Sequence, residues 1–213
     1  MINECNIIGG GQSINSLTDL QKENIKKGIN IFVNKSAFLL DWIKPTERDY
    51  VVFNDLYGFF MHYINKNWWE KKYNFTLVLR LYLKQLIERR IDCKFENNKF
   101  NNKYLIYIDN IDIKSINKKL VNSALIETKD NELLTLGYSS GFTALSFATK
   151  KFKKINLYGF DFCGKHFNNN FEYKGDFFER NLKAFDNNKE NLKDYKIINH
   201  NKNSKLKTFE FAN

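Results

Sequence analysis

Short apolar runs punctuate the chain, and each stops at a polar residue. Asn6-Ile7-Ile8 gives way to Gly9-Gly10-Gly11-Gln12-Ser13, and Ile29-Asn30-Ile31-Phe32-Val33 stops at Asn34. Asp49-Tyr50-Val51-Val52-Phe53 stops at Asn54-Asp55, and Lys154-Ile155-Asn156-Leu157-Tyr158-Gly159-Phe160 stops at Asp161. Runs of this length, rich in β-branched and aromatic residues and bounded by turn formers, read as strands. Lys103-Tyr104-Leu105-Ile106-Tyr107-Ile108 is a further candidate. Between them, Ser16 to Lys27 has helical character, and Phe142 to Phe152 carries Phe142, Leu145, Phe147, Ala148 and Phe152 at helical spacing behind Ser139-Ser140-Gly141. Asn74 to Arg90 satisfies neither period and is read as mostly helix, with loops at Glu96 to Asn102 and Phe167 to Phe171.

Strands alternating with helical segments predict an α/β, Rossmann-like fold: a mainly parallel sheet with helices on both faces. Ligands of such sheets sit outside the carboxyl ends of the strands, so the polar strand ends are the expected site. The 213 residues, 43% hydrophobic and 27% charged, fit one such domain over 1–213 and exclude a wholly disordered chain. Mean hydropathy is −0.52, and no apolar stretch approaches the roughly 18 residues of a spanning helix. The first residues lack the basic flank and small-residue cleavage site of a secretory signal, so a cytoplasmic location is expected. Cys5, Cys93 and Cys163 are odd in number and widely spaced, which suits buried reduced thiols better than a disulfide framework or zinc site.

A net charge of +10 would suit a polyanionic partner if the lysines clustered on one face. They are scattered, however, and a generally solvated surface is favoured over nucleic-acid binding.

The glycine run lacks both the dinucleotide fingerprint spacing and the Gly-Lys-Ser/Thr of a P-loop. Placed between a strand and a helix, Gly9, Gly10 and Gly11 either bring bare amides to a phosphate or make a tight turn with positive φ. Ser13, Asn34, Asn54 and the Ser139-Ser140-Gly141 helix start add hydroxyls, carboxamides and amides at the same sheet edge. Asp55 and Asp161 either hold a divalent cation or cap backbone amides. No metal site is assigned. Of the histidines, His62 and His200 read as structural, and His166 just beyond a site strand is the candidate proton-transfer group.

In order along the chain, Ile7 to Ser13, Phe32-Val33-Asn34, Val52-Phe53-Asn54-Asp55 and Tyr138 to Gly141 through Lys154 to Phe162 resemble the bacterial lipooligosaccharide sialyltransferases of glycosyltransferase family 42. They also resemble the related Rossmann-like family of motility-accessory glycosyltransferases and hydroxymethylpterin pyrophosphokinases. The resemblance implies that Gly10, Gly11, Ser13, Asn34, Asn54, Ser139, Ser140 and Gly141 hold the nucleotide of a nucleotide-sugar donor such as CMP-sialic acid, whose sugar passes to a hydroxyl acceptor without a required cofactor. The chain has Gly10 where those sialyltransferases carry asparagine and Gln12 where proline is usual. The tyrosine pair that steadies their leaving phosphate has no counterpart, and their general-base histidine falls near Tyr173, leaving His166 as a conceivable replacement. Two alternatives stand beside the glycosyltransferase. One is a pyrophosphokinase-like phosphotransferase with Mg2+ between Asp55 and Asp161; the other is a non-catalytic nucleotide- or nucleic-acid-binding protein.

Overall fold

The computed structural model describes residues 3–53, 75–79, 105–107, 124–127, 133–136, 139–168 and 177–212. Asn54, Asp55, His62, Cys93 and Tyr173, with both expected loops apart from Phe167 and Asn168, lie outside the described residues.

Strands β1 (Glu4–Ile8), β2 (Asn30–Val33) and β3 (Tyr50–Phe53) are followed by β4 (Thr76–Leu79) and β5 (Leu105–Tyr107). After a hairpin of β6 (Ala124–Glu127) and β7 (Leu133–Leu136) come β8 (Lys154–Tyr158), β9 (Lys196–Asn199) and β10 (Glu210–Phe211). Eight of these form one sheet in the order β10-β9-β8-β1-β2-β3-β4-β5, and every pairing in it is parallel. The fold is therefore Rossmann-like, with β8, β1, β2 and β3 mutually adjacent as the apolar runs predict. Within the segment Asn74 to Arg90, read as mostly helix, Thr76–Leu79 is instead a strand: Val78 is fully buried between β3 and β5, where an apolar run satisfies both faces and shows no alternation, while residues 80–90 lie outside the described residues.

The α-helices among the described residues are α1 (Asp19–Lys27), the single turn α2 (Ser36–Leu39), α3 (Ser140–Thr149) and α4 (Phe177–Asn187). Helix α1 starts at a capping box: Thr18 Oγ1 accepts the Gln21 amide at 3.2 Å, and Gln21 Oε1 accepts the Thr18 amide at 2.9 Å. Helix α3 is buried almost throughout because it lies against β1, β2 and β3 on one side and β6 on another. Phe142 meets Phe185 of α4 at a ring separation of 4.3 Å, and Tyr50 meets Phe147 edge-on at 4.8 Å. Cys5 is buried as expected, whereas Cys163 is partly exposed because it sits in the turn after β8.

One row of the sheet breaks the apolar rule. Asn30, Asn6 and Asn156 are register partners on β2, β1 and β8, each at most 6% exposed. Their carboxamides form a directed chain, Asn156 Nδ2 donating to Asn6 Oδ1 (3.2 Å), Asn6 Nδ2 to Asn30 Oδ1 (3.1 Å), and Asn30 Nδ2 to the buried Asp49 carboxylate (3.2 Å). Buried amides of this kind are tolerable only when fully paired, and here they also fix the register of three strands. At the open end His200 Nε2 meets Asn156 Oδ1 at 3.1 Å, and Asn156 Nδ2 also donates to Glu4 Oε1 at 2.7 Å.

Burial, with the positive charge of Lys154, holds the His200 imidazole below its ordinary value of 6.5, against the opposing pull of Glu4. The unfolded chain therefore binds the proton more readily, and stability is lost as pH falls below 6.5 toward the lowered folded value. Melting temperatures across this window are expected to fall in the native chain and to stay flatter in His200→Gln. Glu4 acts lower down. Burial raises its carboxyl, but the Lys154 ammonium at 2.7 Å and the Asn156 amide outweigh it and hold it below 4.5.

Candidate functional site

Gly9, Gly10 and Gly11 follow β1 at the carboxyl edge of the sheet. Positive φ among the described glycines occurs only at Gly159 and Gly164, so the tight-turn reading of the run is corrected. What the run needs is room. A Cβ on Gly9 would lie 2.6 Å from the Gly159 carbonyl oxygen, one on Gly10 would overlap His166 Nε2, and one on Gly11 would lie 2.5 Å from Asp161 Cγ. The amides of Gly9 and Gly11 donate to the carbonyls of Tyr158 (2.7 Å) and Gly159 (2.8 Å), so two of the three expected to face a phosphate are held by the protein itself.

Asp161, 6% exposed, anchors the turn beyond the glycine run. Its carboxylate accepts the Ser13 amide at 2.8 Å, the Ser13 hydroxyl, and the Asn201 carboxamide at 2.8 Å. Ser13 and Asp161 thus engage each other, which fixes the 3-10 turn Gln12–Ser16 against the end of β8. Asn201 is not legible from the sequence as part of this group, since forty residues separate it from its partner.

His166 is brought onto the glycine run. It bridges Gly11 in antiparallel fashion, and the Phe167 amide donates to the Gly10 carbonyl at 2.9 Å. Its ring is 3% exposed, with Nδ1 3.0 Å from Asn168 Oδ1.

Two further elements complete the edge. Asn34 ends β2 with φ +51°, a conformation asparagine tolerates better than most residues. Its side-chain oxygen is buried without a hydrogen-bond partner among the described residues, a condition rare enough in proteins to ask for a donor. Ser36 braces this turn: its hydroxyl lies 2.8 and 2.9 Å from the Val33 and Ile8 carbonyls and accepts the Val33 amide at 3.0 Å. Lys35, which no sequence motif marks, is half-buried beside Asn34, and loss of water lowers the pKa of its ammonium.

Helix α3 begins at the same edge. Ser139 Oγ caps the Phe142 amide at 3.2 Å, and Ser140 is buried. Cβ atoms on Gly9 and on Gly141 would come within 3.1 and 2.9 Å of one ring, that of Phe160, so the two glycine turns flank a single side chain. The helix start therefore stands beside the β1 turn, where its dipole favours negative charge. Among the described residues no three His, Cys, Asp or Glu side chains gather as a metal site.

No protein-family model matches the chain, and no curated protein matches its sequence. Solved structures share its fold. The MAf glycosyltransferase from Magnetospirillum magneticum AMB-1 aligns at TM-score 0.60 and 11% identity, over 100% of this chain and 34% of that one. The sialyltransferase CST-II in complex with a trisaccharide acceptor and CMP aligns at 0.53 and 16% identity, over 98% and 85%. CstII from Campylobacter jejuni with CMP-3FNeuAc aligns at 0.51 and 15%, over 99% and 86%. The chain thus spans about a third of the MAf protein and most of the sialyltransferases. At these identities the likeness is one of fold, and the fold is one that glycosyltransferases use.

Proposed function

We propose that the chain binds a nucleotide sugar across the carboxyl edge of its sheet and transfers the sugar to a hydroxyl acceptor. The observation that carries this reading is the unpartnered, buried Asn34 side-chain oxygen at an edge shared with the glycine run and the α3 start. A nucleotide supplies the missing donor through a base amino group or ribose hydroxyl, and its phosphate gains from the helix start at Ser139, Ser140 and Gly141. In this proposal Gly9, Gly10 and Gly11 keep the edge open, Ser13 and Asp161 hold the turn in place, and Asn54 and Asp55 extend the binding surface. Transfer breaks the bond between the anomeric carbon and the phosphate oxygen and forms one to the acceptor oxygen. The acceptor proton passes to a base, for which His166 and Tyr173 are the candidates. An Asp161 carboxylate already accepting three donors favours this over a phosphotransferase in which that group shares a magnesium ion.

Binding is tested by a thermal-shift screen of CMP, UDP, GDP, ADP and CMP-sialic acid. A nucleotide at 100 times its Kd should stabilise the native state by about 2.7 kcal/mol. Asn34→Gly keeps the positive φ and removes the carboxamide, so the unliganded chain should stay folded while nucleotide affinity falls by about tenfold. Unchanged affinity in that variant would remove Asn34 from the site. For proton transfer, His166→Ala is expected to lower turnover about 10²–10⁴-fold at nearly constant nucleotide affinity. An active His166→Asn enzyme would move the role to Tyr173.

A further inference from the structure

A separate cavity of about 640 Å³ opens on the sheet face formed by β1, β8, β9 and β10, beside the end of α1 at Gly28. That volume lies within the range of small-molecule sites. Asn6 and Asn156 of the asparagine row line it, as do Tyr158 and His200, whose rings stack at 4.3 Å and 19°.

Several polar groups here are left over after the internal network is satisfied. Tyr158 is only 6% exposed, yet its hydroxyl makes no hydrogen bond to a described residue. Burial pushes its pKa up to about 12, so it remains a neutral donor and acceptor. Both protons of the Asn156 amide are spent on Glu4 and Asn6, so its oxygen must accept from His200 Nε2. That assignment leaves His200 Nδ1 as a lone pair without a described partner. At the rim the Lys196 ammonium and the Glu210 carboxylate stand in no salt bridge among the described residues.

Donors and acceptors of both charges therefore line the same cavity. The Lys27, Lys154 and Lys196 ammoniums would draw a phosphate, but the Glu4 and Glu210 carboxylates and the Nδ1 lone pair stand in the same cavity and oppose a group that offers acceptors alone. A nucleobase needs a bare aromatic face, and of the two aromatic rings besides His200 that line the cavity, Tyr158 is stacked on His200 and Phe211 carries the Lys207 ammonium 4.6 Å from its centroid. Hydroxyls, which donate and accept at every position, match the set. We propose that this cavity binds a neutral saccharide through its hydroxyl groups, at a site distinct from the nucleotide edge. The proposal stands on the cavity alone and is independent of the glycosyltransferase reading.

The test follows the histidine ring resonances by NMR, with His200 assigned from His200→Gln, while glucose, galactose, N-acetylglucosamine and lactose are titrated to about 50 mM, well above a millimolar Kd. At least one sugar should shift the His200 signals, and inorganic phosphate should not. Tyr158→Phe, which keeps the buried ring, should weaken that sugar about threefold to tenfold, and the exposed Glu210→Gln should weaken it as well. Silence from all four sugars, a response to phosphate instead, or native affinity in Tyr158→Phe would each overturn the assignment.

Discussion

Gly11→Ala is expected to lower the melting temperature by about 6–12 °C, the equivalent of about 3 kcal/mol in a chain of this size. The added methyl would stand 2.5 Å from Asp161 Cγ, 2.6 Å from its Oδ2 and 2.7 Å from the Gly159 carbonyl oxygen. Neither group can swing aside freely, although the carboxylate ends a side chain. The carbonyl belongs to the backbone that accepts the Gly11 amide, and the carboxylate is buried under three donors. Relief requires β1 and the end of β8 to part, which breaks the ladder that joins the two halves of the sheet. Gly10→Ala makes the contrast: its methyl meets a side chain, His166, and adding His166→Ala should recover part of its cost. Differential scanning calorimetry on the three variants measures both effects, and a Gly11→Ala protein as stable as the native one would show that the edge yields freely.

Asp161→Ala should be more damaging still, at about 3–5 kcal/mol, because hydrogen bonds to a charged group contribute about 1.5–3 kcal/mol each and three of them are lost, with donors that are partly buried. The Ser13 amide and the Asn201 carboxamide would both lose their acceptor, and with them the turn that carries the glycine run. Ser13→Ala removes only the hydroxyl and keeps the amide bond, so it should cost a fraction of that. Urea denaturation of the two variants checks the order. Equal small losses would mean that Asp161 holds little of the edge together and would place it among the ligand-facing groups instead.

The strands that build the edge are legible because each is a four- or five-residue apolar run with a polar stop. The hidden part is long-range. Position at or just beyond a strand end marks His166 and Asp161 as candidates, but their partners Gly11 and Ser13 lie about 150 residues away, and no local pattern shows that they meet. Val78 misleads for a related reason, since burial on both faces erases the alternation that separates strand from helix. The asparagine row has a visible signal, a single Asn in each of the apolar runs of β1, β2 and β8. Its meaning depends on register, which only the paired strands reveal.

Donor turnover tests the central claim most directly. The chain is incubated with CMP-sialic acid, UDP-hexoses and GDP-hexoses, with water and a set of sugars as acceptors, and phosphorus NMR monitors each donor. One donor should be consumed, its signal replaced by that of the free nucleotide, with the rate at subsaturating donor reduced about tenfold in Asn34→Gly. Every donor remaining intact, with no nucleotide stabilising the protein, would contradict a nucleotide-sugar site at this edge.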